Sequence, residues 1–182
     1  MRRTERFPAK GNANSLWQIY KTVSFFKVAK NFLFIQIGRY TPFIPMKNFI
    51  YRTFLGMKIG EKTSFALMVM PDTMFPERIT VGTNTIIGFN TTILAHEYLI
   101  EEYRIGDVVI GDRVMIGANT TILPGVEIGD GAIVSAASLV NRDIPAGAMA
   151  GGNPVRIIYT AEQMEERRKA ARNYNKTSQE KE

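Results

Sequence analysis

From residue 59 onward the aliphatic positions recur at every sixth residue. The clearest block reads Ile110-Gly-Asp-Arg-Val-Met, Ile116-Gly-Ala-Asn-Thr-Thr, Ile122-Leu-Pro-Gly-Val-Glu, Ile128-Gly-Asp-Gly-Ala-Ile and Val134-Ser-Ala-Ala-Ser-Leu. An earlier block passes through Val81, Ile87 and Ile93, and one isolated unit begins at Ile59. The fifth place of each unit is small or branched. A period of six is neither the 3.6 of an amphipathic helix nor the 2 of a hairpin strand. It predicts short strands and tight bends stacked into a solenoid whose aliphatic places share one core. Seven of the fifteen glycines directly follow an Ile or Val of the repeat. Glycine, asparagine and aspartate are read as bend residues because they tolerate left-handed backbone angles.

Two interruptions break the frame, residues 68–78 and 96–107, and interruptions of a solenoid map to loops with functional roles. The second, His96-Glu-Tyr-Leu-Ile-Glu-Glu-Tyr-Arg-Ile-Gly-Asp, keeps the frame at Leu99 and Ile105, but its charge density predicts a protruding loop. Ahead of the repeat the spacing is helical. Leu16, Ile19, Tyr20, Val23, Phe26, Leu33, Phe34 and Ile37 predict one helix opened by a Ser15/Gln18 capping box and stopped at Gly38. A shorter helix is expected from Pro45 to just before Gly56, with Phe49, Ile50, Thr53 and Phe54 on one side. After the repeat, Thr160 and Gln163 form a second capping box that opens a helix through about Asn173, with only Met164 and Ala171 to bury. The last seven residues, 176–182, read as a disordered tail. The expected organisation is an arm over 1–56, the repeat over 57–158 and a C-terminal helix and tail over 159–182.

Composition narrows the chemistry. A chain of 182 residues has room for one domain with arms. It contains no cysteine, which excludes disulfides, thiol nucleophiles and zinc thiolates and fits a reducing, cytoplasmic setting. A single histidine, His96, excludes a three-histidine zinc site, so no metal is expected. The charge is uneven. Residues 1–60 hold eleven Lys or Arg against Glu5 alone, whereas residues 61–182 hold twelve against sixteen acids. No acid occurs between Glu5 and Glu61, and that stretch carries Trp17 and most of the phenylalanines. Its cations are spread among apolar helix positions rather than clustered, so nucleic acid is not expected. A cap over the open end of the solenoid is the favoured reading, with contact to an anionic membrane surface as the alternative. The longest apolar run nearby, Phe32 to Ile35, is far below the roughly 20 residues that span a bilayer, and the first dozen residues lack the apolar core of a secretory signal.

The six-residue motif, closing in Gly151-Gly-Asn-Pro-Val-Arg156, resembles the hexapeptide-repeat acyltransferases over 57–158, in particular the galactoside, maltose and virginiamycin-type O-acetyltransferase branch. The resemblance implies a mainly β fold: a left-handed parallel β-helix with an N-terminal helical arm and a C-terminal helix. It also implies a homotrimer with acetyl-CoA lying between subunits, and a hydroxyl acceptor on a sugar, polysaccharide or xenobiotic. The family's loop histidine, which deprotonates the acceptor, matches His96. Imidazole suits that role because it titrates near pH 6.5. Its other nitrogen needs an acceptor, for which Asp72, Glu97 and a backbone carbonyl are all candidates. Asp72 and Glu77 are also candidates to touch the acceptor. On the cofactor side the matching positions are Ala118 and Ala136, small beside the pantetheine arm, Asn141 and Arg142 near the phosphates, and Arg156 closing the groove. The sugar acetyltransferases carry asparagines in the coil below their histidine, where this chain has Met68, Val69 and Met70. A lipid or N-acyltransferase of the same fold and a non-catalytic β-helical scaffold are the competing readings. A γ-class carbonic anhydrase is excluded by the single histidine.

Overall fold

Ahead of the repeat the chain forms a strand, β1 (Glu5–Pro8), a 3₁₀ turn over Ser15–Gln18, and three helices: α1 (Ile19–Thr22), α2 (Phe25–Tyr40) and α3 (Ile44–Leu55). The structure, a computed structural model, describes the backbone of residues 2–179 and the side chains of residues 2–172. Four turns of chain then each give one short strand to each of three parallel sheets. The first turn carries β2 (Lys58–Ile59), β3 (Ser64–Phe65) and β4 (Met70–Pro71), and the second β5 (Ile79–Val81), β6 (Ile86–Ile87) and β7 (Thr92–Ile93). A hairpin, β8 (His96–Tyr98) and β9 (Glu102–Ile105), leaves the coil here. The third turn holds β10 (Val108–Ile110), β11 (Met115–Ile116) and β12 (Thr121–Ile122), and the fourth β13 (Glu127–Ile128), β14 (Ile133–Val134) and β15 (Leu139–Val140). The chain closes with β16 (Met149–Gly151), β17 (Arg156–Tyr159) and α4 (Ala161–Gln179). The sheets run β2-β5-β10-β13, β3-β6-β11-β14-β16-β17 and β4-β7-β12-β15, parallel except where β17 turns back on β16.

The register shows why every sixth residue is aliphatic. Ile59, Val81, Ile110 and Ile128 stack in the first sheet, Phe65, Ile87, Ile116 and Val134 in the second, and Pro71, Ile93, Ile122 and Val140 in the third. All but the half-buried Ile59 are buried and line the interior. The fifth places are buried at the bends, where the Thr85 hydroxyl donates to the Gly111 carbonyl one coil on at 2.8 Å.

The repeat glycines serve a different purpose from the one expected of them. Positive φ falls three places after the aliphatic residue, at Lys62, Asn84, Arg113 and Gly131 along one corner and at Met68, Asn90, Asn119 and Ala137 along the next. The glycines that follow the aliphatics are demanded by close stacking instead. A Cβ on Gly82 would lie 2.6 Å from the Gly111 carbonyl carbon, and one on Gly88 would lie 2.6 Å from the Ala118 amide nitrogen.

The arm departs from its pattern in three places. Ser15 is no cap, because Asn14 accepts the Trp17 amide at 3.2 Å while the Ser15 hydroxyl donates to the Leu99 carbonyl at 2.6 Å. Gln18 bonds the Lys10 backbone. The single expected helix is broken at Val23, which is extended and buried (φ −138°). Gly38 stops nothing. The helix runs on to Tyr40, and glycine is needed there because a methyl would overlap the Tyr51 ring.

Helix α3 begins at Ile44, one residue ahead of the expected Pro45, and ends before Gly56 as expected, with Gly56 at φ 72°. Its inward face, however, is Lys47, Asn48, Ile50, Tyr51 and Leu55, while Phe49 and Thr53 face outward. Those inward polar groups meet carbonyls of the first coil that have no coil beneath them. Lys47 Nζ donates to Phe65 O (3.0 Å) and Ala66 O (2.8 Å), Asn48 Nδ2 to Thr63 O (2.7 Å), and Arg52 to Ile59 O and Gly60 O (both 2.9 Å). At the other end α4 opens on a reciprocal Thr160/Gln163 box, buries Met164 but not Ala171, and continues to Gln179, so 176–179 are helical rather than tail. Residues 180–182 lie outside the described residues.

Candidate active site

Both interruptions fall at the same corner of the coil, between the third sheet and the first. Pro71 pairs with Ile93, so the residues that follow those two strands meet there: Asp72 on the first coil, Ala95 and His96 on the second. Asp72 is buried and receives donors from both sides. Its Oδ1 accepts the Met74 and Phe75 amides, each at 2.8 Å, and its Oδ2 accepts the Ala95 amide at 2.6 Å and the His96 amide at 3.1 Å. The same Oδ2 lies 2.6 Å from His96 Nδ1. Burial pushes the Asp72 carboxyl up, but the bond and charge of His96 and the Phe75 and Ala95 amides outweigh it and hold the group below the usual carboxylate range. An ionised carboxylate only accepts, so the hydrogen on this contact belongs to Nδ1, and a neutral His96 carries its lone pair on Nε2.

Neighbouring rings shape the site. Phe75 lies edge-on to His96 at 6.0 Å and Tyr98 at 5.3 Å, and Tyr98 continues to Tyr103 and Phe7 at 5.6 and 4.8 Å. Burial raises the Tyr98 phenol above its ordinary value. The predicted protruding loop is a hairpin made into a three-stranded antiparallel sheet by β1, with Phe7 opposite Tyr103 and Glu5 opposite Ile105. Helix α2 braces the Asp72 side. Asn31 donates to Thr73 O at 2.8 Å, and Lys27 pairs with Glu77 at 2.7 Å and sits over the Phe75 ring.

The other candidate residues separate. Glu97, one residue along β8 from His96, turns to Arg2 at 2.9 Å and makes no contact with the imidazole. Asp72 is too deeply enclosed to meet an acceptor, and Glu77 is held by Lys27. Ala118 and Ala136 stack one coil apart at the corner between the second and third sheets. Arg156, opposite Gly151 in β17, is exposed at the end of the same corner. Asn141 and the exposed Arg142 follow β15 and so lie on the His96 corner, two coils on. Within one chain the third sheet separates these two groups. Phe75, Tyr98 and the β1 strand were not singled out in the sequence. The only signal is an aromatic in each of three non-repeat segments, which pairs with nothing until the fold is known.

A model for bacterial transferase hexapeptide repeats, six repeats in all, matches residues 107–142. The chain is 73% identical over 169 residues to the "Putative acetyltransferase YvoF" of Bacillus subtilis (strain 168), spanning 93% of this chain and 98% of that protein. It is 46% identical over 146 residues to the "Putative acetyltransferase SAS0727" of Staphylococcus aureus (strain MSSA476), spanning 80% and 91%. Among solved structures it is similar to the hexapeptide-repeat acetyltransferase VCA0836 of Vibrio cholerae O1 biovar eltor in complex with acetyl coenzyme A. The TM-score there is 0.63 at 22% identity, covering 75% of this chain and 87% of that one. The shared fold is the left-handed parallel β-helix.

Proposed function

The chain belongs to the hexapeptide-repeat acetyltransferases, and on that premise we propose that it moves the acetyl group of acetyl-CoA directly to a hydroxyl of a saccharide or other small-molecule acceptor, with His96 as general base. The observation that carries the reading is the His96–Asp72 pair. Asp72 fixes the Nδ1 hydrogen, so Nε2 is free to take the acceptor's proton as its oxygen attacks the thioester carbonyl. The C–S bond then breaks, and the proton held on Nε2 passes to the departing CoA sulfur. Positive charge that gathers on the imidazole is met by the buried carboxylate at 2.6 Å. No covalent acyl-enzyme is needed.

Ala118 and Ala136 are read as the small positions beside the pantetheine arm, and Asn141, Arg142 and Arg156 as phosphate contacts, arginine being suited by its planar fork. These residues occupy two corners of one chain. That division favours a site completed between copies in a homotrimer, with the alanines of one chain facing the His96 corner of the next. The outward side of the second sheet supports the same assembly. Exposed Ile86 and Met115 stack there between half-buried Ser64 and Ile133, whereas the outward positions of the first sheet are Lys58, Thr80 and Glu127 with one exposed aliphatic, Val109.

The test is CoA release from acetyl-CoA across a panel of hydroxyl and amine acceptors. Hydroxyl acceptors turning over while amines do not supports O-transfer. Turnover confined to amines would replace it with N-transfer.

A further inference from the structure

The two faces of the N-terminal arm have different surroundings. Asn31, Ile35 and Gly38 of α2 and Lys47, Asn48 and Tyr51 of α3 are turned inward and buried over the first coil. On the other side Trp17 is 83% exposed, Phe26 82%, Leu33 55%, Tyr40 65%, Phe43 69% and Phe49 57%. Phe26, Leu33 and Tyr40 recur at steps of seven, so they form one side of α2; Phe43, just before α3, and Phe49, on α3, are exposed as well. Large apolar side chains exposed in such number on one arm mark an interaction surface. Capping the β-helix explains the inner face and leaves this one unexplained.

Charge decides what would cover it. Lys10, Lys21 and Lys30 are exposed on the same arm, Lys30 with one of its hydrogens on the Phe54 carbonyl at 2.7 Å, and no acid occurs between Glu5 and Glu61. Of the acids near the arm, Glu77 is engaged with Lys27 at 2.7 Å and Glu5 with Arg78 at 3.0 Å, while Glu61 and Glu101 are exposed beside its ends, so the arm keeps a cationic excess without being free of nearby acids. The face is therefore apolar, aromatic and cationic. Two copies placed face to face would bring like charges together, whereas an anionic bilayer offers acyl chains for the rings and phosphates for the lysines.

We propose that this face is a docking surface for an anionic lipid bilayer, with α2 and α3 lying in the interface. Tryptophan and tyrosine favour that layer, an amphipathic helix with lysines at its margin binds there, and basic residues are drawn to the negative surface. Among the described residues no helix is long and apolar enough to cross a membrane, so the contact is peripheral. Lys27 lies over Phe75, which abuts His96, so docking would set the His96 corner close to the lipid boundary.

Trp17 is the sole tryptophan and reports directly on the face. The experiment is flotation and Trp17 emission of the full chain with phosphatidylcholine vesicles, pure or containing about one third phosphatidylglycerol. Expected are co-flotation and a blue-shifted emission with the anionic vesicles only, weakened by salt. In Phe26→Ser/Leu33→Ser, whose side chains touch no core, binding should fall about tenfold or more with the thermal midpoint retained. Protein left at the bottom of the gradient with unchanged emission would overturn the proposal, as would equal binding to neutral vesicles. An emission already blue in the free protein that moves red on dilution would assign the face to contact between copies instead.

Discussion

Asp72 is a carboxylate out of contact with water whose two oxygens meet four amides and one imidazole. A carboxyl held low in the native state contributes stability that is in place above its unfolded value, about 3.9, and is lost as pH falls through the native value. Asp72→Asn takes up no proton and lacks that contribution. Urea unfolding should show a gap between wild type and variant that is wide at pH 6 and narrower at pH 3. A gap of equal size at both would mean the carboxylate is not held low. The same variant should lower CoA release while leaving acetyl-CoA affinity unchanged, because the amide can orient the ring but not balance its charge. Part of this pair was legible in the sequence, since Asp72 and His96 each sit at a break in the repeat. The choice between Asp72 and Glu97 was not. It depends on the Pro71–Ile93 register and on Arg2 coming from the far end of the chain to take Glu97.

At the scale of elements, α3 acts as a substitute coil whose side chains supply the donors that a neighbouring strand would have supplied. Lys47→Met should therefore destabilise by about 1–3 kcal/mol by leaving the Phe65 and Ala66 carbonyls enclosed without donors, whereas exposed Arg52→Ala should cost less than about 1 kcal/mol. Chemical denaturation checks both, and equal effects would contradict the capping account. The corners make a second test. Ala137 occupies the same left-handed position as Asn90 and Asn119, at φ 56°, where a Cβ without a polar side chain is strained. Ala137→Asn should raise stability by up to about 1 kcal/mol, read as a higher urea midpoint. The aliphatic ladder was legible because every sixth residue faces the same interior. Lys62, Met68, Arg113 and Ala137 were not, because the stack imposes their backbone and their own propensity does not. The hidden polar face of α3 escaped for a related reason. A lysine reads as surface until the helix is seen to lie on orphaned carbonyls.

The molecule as a whole is a three-sided column with a cap at one end and an antiparallel hairpin sheet at one corner, and its candidate site residues are divided between two corners. If copies complete the site, Met115→Glu on the outward stripe of the second sheet should give a monomer by light scattering and lose CoA release together with assembly. A variant that stays assembled, or a monomer of full activity, would contradict a shared site. The central claim is that His96 removes the acceptor proton. The most direct measurement is the rate of CoA release by His96→Ala against wild type, with saturating acetyl-CoA and a hydroxyl acceptor that the wild type uses. The account predicts a fall of about 10²–10⁴-fold with acetyl-CoA binding retained. A variant that keeps the wild-type rate would contradict it.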